Sequence, residues 1–301
     1  MKSGIDRREF LRLAGIGGAV FASGLGFDAV AAERRGGAAR KLSDFYFVQL
    51  SDTHWGFNNP TINPDAAHVL PKAIDAINHL SRQPDFIMFT GDLTHSTDDA
   101  ELRRRRMHEF KQQVEALSVK DIKFIPGEHD ASLDNGAAFQ EIFGATYYYF
   151  RHKGVHFFAL DNVSDPTAQL GQTQLDWLAG ELAELHRSAN IVVFAHRPLF
   201  DLYPQWDWYT KDGKAVLDLL SPFQHVAVFY GHIHQQHYFE TGYIKHFAAN
   251  SLIFPLPVPG SAPKKVPIPW NAAKPYAGLG FRNVHSRQAR HAYELLENTI
   301  V

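Results

Sequence analysis

The stretch Phe45-Tyr46-Phe47-Val48-Gln49-Leu50-Ser51-Asp52-Thr53-His54 joins an apolar run to a polar cluster. Its first six residues predict a β-strand, and its last four place an aspartate and a histidine where that strand ends. Four later apolar runs end in the same way, in the clusters Gly91-Asp92, Gly127-Glu128-His129-Asp130, His196 and Gly231-His232-Ile233-His234. In an open α/β sheet, ligands bind outside the carboxyl ends of the strands. We therefore expect the five clusters to meet at one rim.

The rest of the chain alternates short apolar segments with longer amphipathic ones, which is typical of an α/β fold. The pattern predicts helices at 65–82, 98–117 and 173–185, strands at 86–89, 122–125, 191–194, 226–230 and within 238–247, and a hairpin that turns near Lys153-Gly154. Residues 255–275 are rich in proline and are predicted to be irregular. Residues 289–297 are predicted to form a short helix, and we expect one domain over 45–301.

The five clusters supply seven side chains that could bind metal ions. These candidate ligands are Asp52, His54, Asp92, Glu128, His196, His232 and His234. Mixed carboxylate and imidazole ligands suit first-row ions such as zinc, iron, manganese and cobalt. Seven ligands exceed what one tetrahedral ion needs, so two ions that share a carboxylate are the natural solution. Two ions about 3.5–4 Å apart form the clamp used for in-line displacement at phosphorus.

Taken in order over residues 45–250, these clusters resemble the calcineurin-like metallophosphoesterase family. The resemblance implies a four-layer α/β fold, in which a two-sheet β-sandwich is flanked by helices. It implies one metal held by Asp52, His54 and His234, a second held by Glu128, His196 and His232, and a bridging carboxylate from Asp92. A hydroxide that bridges the metals would attack phosphorus. His129 would face the substrate, stabilising the transition state or protonating the leaving oxygen, and Asp130 would orient His129.

Glu128 departs from the family pattern, which has a neutral asparagine in its Gly-Asn-His-Asp motif. Counting Asp52, Asp92 and Glu128, the ligands carry −3 rather than −2. Our hypothesis is that Glu128 is a true ligand that strengthens cation binding and favours a harder ion such as ferric iron. The alternative is that Glu128 turns away and the second metal is weak or absent. Gly91-Asp92 also continues without the tyrosine of the purple acid phosphatases, which argues against that branch.

Composition limits the other classes of function. The net charge is −2, so the basic excess expected of a nucleic-acid binder is missing. The chain has no cysteine, which excludes disulfides, thiolate ligands and a thiol nucleophile. The remaining prediction is hydrolysis of a small-molecule phosphate ester, with a phosphodiester slightly favoured over a monoester. A non-catalytic protein that binds metal or a partner on the same fold is the alternative from another class.

The first residues resemble a twin-arginine export signal. Arg7-Arg8 precedes a short apolar run broken by glycines, and Ala29-Val30-Ala31-Ala32 forms an A-x-A-type cleavage site. The resemblance implies a signal peptide at 1–31, a polar leader at 32–44 and a periplasmic or secreted enzyme exported folded by the twin-arginine translocation machinery. No membrane span is then expected in the mature form. An N-terminal anchor or a disordered basic tail is the alternative.

Four further features allow more than one interpretation. Arg103 to Arg106 favours a solvated helix face over phosphate recognition, and His95 favours a surface or capping role over support of a metal ligand. Trp206 and Trp208 could wall a substrate pocket or pack beneath a loop. Asp161-Asn162 ends another apolar run, and no role can be assigned to it from the sequence.

Overall fold

A computed structural model of the protein describes residues 43–300. The predicted signal peptide and the leader up to residue 42 lie outside the described residues. Within 43–300, no helix combines the length and the hydrophobicity that crossing a bilayer requires.

The described chain contains eleven strands and six α-helices. The strands are β1 (Phe45–Leu50), β2 (Phe86–Thr90), β3 (Ile122–Ile125), β4 (Tyr148–His152), β5 (Val155–Ala159), β6 (Asn190–Phe194), β7 (His225–Tyr230), β8 (His237–Thr241), β9 (Ile244–Ala248), β10 (Gly280–Arg287) and β11 (Ala292–Thr299). The helices are α1 (Ala66–Asn78), α2 (Ala100–Val114), α3 (Glu128–Ala131), α4 (Ala137–Phe143), α5 (Gln172–Ala183) and α6 (Gly213–Leu220).

The strands form two mixed sheets. The first has the order β11-β10-β1-β2-β3, with β1, β2 and β3 parallel and β10 and β11 antiparallel to their neighbours. The second has the order β4-β5-β6-β7-β9-β8, with a parallel centre and antiparallel edge strands. The parallel strands β1, β2 and β3 of one sheet, and β6 and β7 of the other, are the five that precede the polar clusters.

Aromatic side chains hold the two sheets together. Phe47 of β1 stacks on Phe86 of β2, with ring centroids 4.9 Å apart. Its ring edges also meet Phe194 and Phe229 of the other sheet at 5.6 Å and 5.5 Å. These side chains belong to one buried cluster between the sheets. Large rings in offset and edge contacts bury much apolar area, so the distance between the sheets is firmly set.

Helices cover the outer face of each sheet. Alternate residues of β1, including Tyr46 and Val48, point away from the other sheet and pack with α1 and α2. The second sheet packs with α5 and α6 in the same manner. Because β1 is buried on both faces, its sequence is a continuous apolar run rather than an alternating one. The resulting order of helices, sheet, sheet and helices confirms the predicted four-layer α/β fold.

Most predicted elements are present with slightly different ends. The helix predicted at 98–117 begins after Asp99, whose carboxylate caps it by accepting hydrogen bonds from the backbone N–H groups of Glu101 and Leu102. The hairpin predicted near Lys153-Gly154 is confirmed. Both of these residues have positive φ angles, as a type I′ turn requires.

The helix predicted at 289–297 is wrong. Residues 292–299 form β11, which pairs along its length with β10, and β10 pairs with β1. Tyr293-Glu294-Leu295-Leu296-Glu297 contains good helix formers, but the neighbouring strand offers a full ladder of backbone hydrogen bonds and a buried place for Leu295. Tertiary context here overrides a weak local preference. The helices α3, α4 and α6 and the strand β10 were not predicted.

His246 of β9 provides a test of the packing on the outer face of the second sheet. Its side chain is fully buried against the ring of Phe200, at a centroid distance of 4.9 Å. Burial, reinforced by nearby His237, lowers the pKa of His246 to about 3. The unfolded chain binds this proton near pH 6.5 and the folded chain does not, so the free energy of unfolding falls as the pH drops below 6.5.

We expect His246→Phe to reduce this acid sensitivity. Between pH 7 and pH 5, the variant should lose about 2 kcal/mol less of its unfolding free energy than the wild type, from the 1.36 kcal/mol per pKa unit of linkage. Urea unfolding at several pH values measures this difference, and shared contributions from other groups cancel. The same substitution at the exposed His108 is the control and should leave the wild-type pH dependence unchanged. Parallel curves for His246→Phe and wild type would contradict the assignment.

Candidate metal centre

The five polar clusters meet at one end of the sandwich, where loops from both sheets interlock. The backbone N–H of Asp52 donates to the carbonyl of Gly91 at 3.0 Å, which joins two loops of the first sheet. The backbone N–H of His232 donates to the carboxylate of Asp52 at 3.1 Å, which joins the two sheets. The expected convergence is therefore present, but the rim belongs to two sheets and not to the single open sheet that the strand-end rule assumes.

The close approach of the loops depends on glycine. A Cβ atom at Gly127 would collide with the backbone nitrogen of Asp92, and one at Gly231 would collide with the hydroxyl of Ser51. Any side chain at either position would push apart the loops that carry the candidate ligands. The glycines that introduce the sequence clusters are thus required by packing.

Five of the seven candidate ligands have left-handed backbones, a conformation that is uncommon outside glycine. The φ angles are 55° for Asp52, 42° for His54, 51° for Asp92, 64° for His232 and 53° for His234. Such conformations persist only where the surrounding structure imposes them, and they cluster at functional sites. Each one turns its side chain back over the end of the strand, toward the centre of the rim.

One group of candidate ligands comprises Asp52, His54, Asp92 and His234, all buried. Nε2 of His54 lies 3.4 Å from an oxygen of Asp92 and 3.3 Å from Nε2 of His234. Nε2 of His234 lies 3.3 Å from an oxygen of Asp52. Two donor atoms that are each about 2.1 Å from one ion lie about 3.0–3.4 Å apart in octahedral or tetrahedral coordination. The spacing of this group fits a single ion.

The second group comprises Glu128, His196 and His232. One carboxylate oxygen of Glu128 lies 2.9 Å from Nε2 of His196, and the other lies 2.9 Å from Nδ1 of His232. Glu128 therefore points into the centre rather than away from it. Oδ2 of Asp92 is 3.4 Å from both His54 and His196, so this one oxygen stands between the two groups.

The outward nitrogens of three histidines are held by main-chain carbonyls. Nδ1 of His196 donates to Thr90 and Nδ1 of His234 donates to Phe254, each at 2.7 Å. Nε2 of His232 donates to the carbonyl of Asp207 at 3.2 Å. A proton on the outward nitrogen leaves a lone pair on the inward one, which is the tautomer that binds a metal.

Several inward atoms lack a hydrogen-bond partner among the described residues. Oε2 of Glu128, Nε2 of His196 and Nδ1 of His232 are buried and face one another, but their directions do not suit hydrogen bonds. Buried polar atoms are almost always paired, because leaving them unpaired costs about 1–3 kcal/mol each. Converging lone pairs of oxygen and nitrogen are the donor set that a first-row cation takes. The residues present therefore fit a pair of metal ions.

The local electrostatics also favour cation binding. Burial lowers the pKa of His232 to about 4 and that of His54 well below its usual range, so both imidazoles are neutral at pH 7. Burial acts in the same direction on His196, but the carboxylates of Asp92 and Glu128 outweigh it and raise the pKa of His196. A cation at this position would compete with that proton, so metal binding should release protons.

His129 lies beside both groups, but Asp130 does not orient its ring directly as expected. Nδ1 of His129 accepts a hydrogen bond from the backbone N–H of Ser96 at 3.2 Å, which places the proton of the neutral ring on Nε2. The carboxylate of Asp130 accepts from the backbone N–H groups of Leu93, Thr94 and Gly127 at 2.8–2.9 Å. Asp130 thus clamps the loops that carry Asp92 and Glu128, and it acts on His129 only through the backbone.

His95 and Asn162, whose roles the sequence did not decide, both contact residues of the candidate metal centre. Nδ1 of His95 lies 3.5 Å from Nδ1 of His54, and its ring stacks on His129 at 5.2 Å, so the preferred surface role for His95 is wrong. The buried Asn162 accepts hydrogen bonds from the backbone N–H groups of His196 and Arg197. No motif in the sequence marks this second contact, because it joins residues far apart in the chain.

The other two features have structural roles. The side chain of Arg103 is 7% exposed and pairs with Asp134 at 2.7 Å, so a wholly solvated face at Arg103 to Arg106 is wrong. Arg106 donates to the carbonyl of His95 at 2.7 Å and thereby supports the rim. Trp206 and Trp208 are buried in a cluster beneath the loop, which accounts for both by packing.

Comparisons with known proteins agree with this geometry. A sequence model of the calcineurin-like phosphoesterase family matches residues 45–236. The serine/threonine-protein phosphatase CPPED1 of Mus musculus is 29% identical over 218 residues, covering 64% of this chain and 70% of that protein. The probable glycerophosphodiester phosphodiesterase GpdQ of Arcobacter nitrofigilis is 25% identical over 205 residues, covering 62% of this chain and 71% of that protein. The crystal structure of a dimetal phosphatase from Danio rerio has the same fold, with a TM-score of 0.56 and 15% identity over 85% of this chain and 98% of its own.

Proposed function

This chain belongs to the calcineurin-like phosphoesterase family and is a phosphoric ester hydrolase, and we propose that it hydrolyses small-molecule phosphate esters at a centre of two metal ions. The observation that carries the proposal is the position of Asp92, one oxygen of which is equally close to a histidine of each ligand group. A shared carboxylate is what a pair of ions a few ångströms apart requires. We assign the first ion to Asp52, His54 and His234, and the second to Glu128, His196 and His232.

The bound ions would polarise the phosphoryl oxygens and supply an activated water. Hydrolysis then forms a bond from the water oxygen to phosphorus, breaks the bond from phosphorus to the ester oxygen, and leaves that oxygen protonated as an alcohol. His129 is placed to donate a hydrogen bond from Nε2 to a phosphoryl or leaving oxygen, because its Nδ1 accepts from the N–H of Ser96 and its Nε2 carries the only ring hydrogen. The proton that ends on the alcohol comes from the attacking water, since a neutral imidazole that lost this hydrogen would become an imidazolate.

Phosphomonoesters and phosphodiesters both fit the proposal. The spacing of the sequence motifs favours a phosphodiester. Among the relatives, CPPED1 is a serine/threonine-protein phosphatase and GpdQ is a probable glycerophosphodiester phosphodiesterase. The comparison of p-nitrophenyl phosphate with bis-p-nitrophenyl phosphate distinguishes the two classes, and both are used below.

We expect Asp92→Asn to abolish hydrolysis by the proposed pair of metal ions. Losing the shared carboxylate should remove at least one metal per chain and lower kcat/KM on both model esters by at least about a hundredfold, as for loss of one main electrostatic group. Elemental analysis of the purified chain, with assays of the same preparations, measures both effects. Asp65→Asn changes a carboxylate outside both groups and is the control. Retention of two metals and full turnover in Asp92→Asn would refute the two-metal proposal.

Glu128→Asn tests whether the extra charge of the second group matters. We propose that the glutamate binds the second ion, so the variant should bind that ion about 10–100-fold more weakly, with a shift from trivalent toward divalent metal. Metal titration calorimetry and elemental analysis report affinity and identity. The first ion, whose ligands are unchanged, is the internal control. Unchanged affinity, stoichiometry and metal identity would show that Glu128 is no ligand.

We also propose that the enzyme is exported by the twin-arginine machinery and acts in the periplasm or outside the cell. The basis is the Arg7-Arg8 pair, the glycine-broken apolar run and the site before Ala32. In a bacterial host with this machinery, replacing Arg7-Arg8 by two lysines should prevent accumulation of a mature chain that begins near Ala32. The same change at Arg34-Arg35, in the leader, is the matched control. Equal export of both variants would contradict a twin-arginine route.

A further inference from the structure

Arg197, which follows the candidate ligand His196, has no part in the metal centre as described so far. Its side chain is 13% exposed, and Nε lies 3.7 Å from an oxygen of Glu128. This is the one ion pair within residues 43–300 that joins an arginine or lysine to a candidate metal ligand. A permanent positive charge thus stands at the edge of the second group, at the end of β6.

The guanidinium of Arg197 keeps hydrogen-bonding capacity. Nη1 donates to the carbonyl of Asp207 at 3.0 Å. Nε is buried and has no hydrogen-bond partner among the described residues, and its distance to Glu128 makes that contact one of charge only. A guanidinium has five N–H donors in a planar fork, and this fork matches the oxygens of a phosphate.

The surrounding structure fixes Arg197 relative to the second ligand group. The amide oxygen of Asn162 accepts from the backbone N–H of Arg197 at 3.3 Å, and its amide nitrogen donates to the carbonyl of Arg197 at 3.0 Å. The carbonyl of Asp207 accepts from both Arg197 and His232, so one atom positions the guanidinium and a candidate ligand together. Such preorganisation is what substrate-positioning groups need, because little ordering remains for the moment of binding.

The positive charge of Arg197 affects which class of phosphate ester the centre binds better. A phosphomonoester carries three unesterified oxygens and close to two negative charges at pH 7, whereas a phosphodiester has two such oxygens and one charge. As a metal ligand, Glu128 would share its charge with the bound ion, which leaves the arginine charge available to the substrate. An added cation therefore favours the ester with the additional charged oxygen.

We propose that Arg197 is a substrate-binding residue whose guanidinium pairs with a phosphoryl oxygen, and that it makes phosphomonoesters the preferred substrates of this centre. The proposal rests on the proposed two-metal phosphoesterase function. It reverses the slight preference for diesters that the sequence motifs favour.

The test compares kcat/KM for p-nitrophenyl phosphate and bis-p-nitrophenyl phosphate in metal-loaded wild type, Arg197→Gln and Arg197→Lys. Wild type should prefer the monoester. Arg197→Gln should lose roughly 10- to 100-fold on the monoester and at most about threefold on the diester, as expected for one charge-assisted hydrogen bond. Arg197→Lys keeps the positive charge but lacks the planar fork of donors. Its kcat/KM on the monoester should lie between those of wild type and Arg197→Gln. Lys265→Met is the matched control, because Lys265 is a cation 3.6 Å from the side chain of Asp207 but contacts no candidate ligand, and its ratio should equal that of the wild type.

Calorimetric titration with inorganic phosphate gives a readout that does not depend on turnover. Arg197→Gln should retain two metals and bind phosphate about tenfold or more weakly than wild type. Equal losses on both esters together with lost metal would mean that Arg197 only offsets the charge of Glu128, and would overturn the proposal. So would a wild-type preference for the diester, or unchanged phosphate affinity. If metal-loaded wild type hydrolyses neither ester, the proposed function itself fails, and the phosphate titration still decides whether Arg197 binds a phosphoryl group.

Discussion

Three carboxylates, those of the buried Asp52 and Asp92 and of the partly exposed Glu128, converge at one end of the sandwich, and their combined charge is the constraint on which the local structure depends. Burying charge without compensation is costly. Backbone N–H groups offset part of it, since His232 donates to Asp52 and His129 donates to Asp92. These donors carry no net charge, so the remaining compensation comes from cations: the guanidinium of Arg197, a protonated imidazole such as that of His196, or bound metal ions. The left-handed backbones of the ligands and the close glycine contacts follow from bringing so many donor atoms to one place.

The energy that sustains this arrangement comes from the rest of the fold. Rings of both sheets, such as Phe47 and Phe229, pack edge to face at 5.5 Å and set how far apart the ends of β1 and β7 lie. A hydrogen bond from one loop to the other sheet, such as that between His232 and Asp52, can form only at that distance. The apolar core thus determines the geometry of a polar site in which no core residue takes part. Since packed interiors are nearly incompressible, the spacing of the two ligand groups has little freedom.

The sequence pattern predicts most strands and helices and the composition of the candidate centre because these leave local signals, whereas the four-layer arrangement is predicted from the family resemblance. Strands buried on two faces are apolar runs, and acids and histidines stand out where such runs end. The positions of Thr90, Phe254 and Asp207 could not be predicted, because each acts through a main-chain carbonyl that every residue possesses. The helix prediction for 289–297 was wrong for a related reason. Its place is set by pairing with β10 and, through β10, with β1, a contact across more than two hundred residues.

The use of main-chain carbonyls has a consequence for how this site could change. Where a carbonyl fixes the tautomer of a ligand, the side chain of the same residue is free to vary without loss of the metal. Asp207 is such a residue: its carbonyl holds His232 and Arg197, while its side chain is 64% exposed and reaches toward Lys265. The hold on His232 therefore depends on the backbone of this loop, whereas under the proposed role of Arg197 the preference between esters depends on the guanidinium. Under that proposal the cation that selects the substrate lies outside the ligand set, so a substitution at Arg197 can change the preferred ester without removing a ligand.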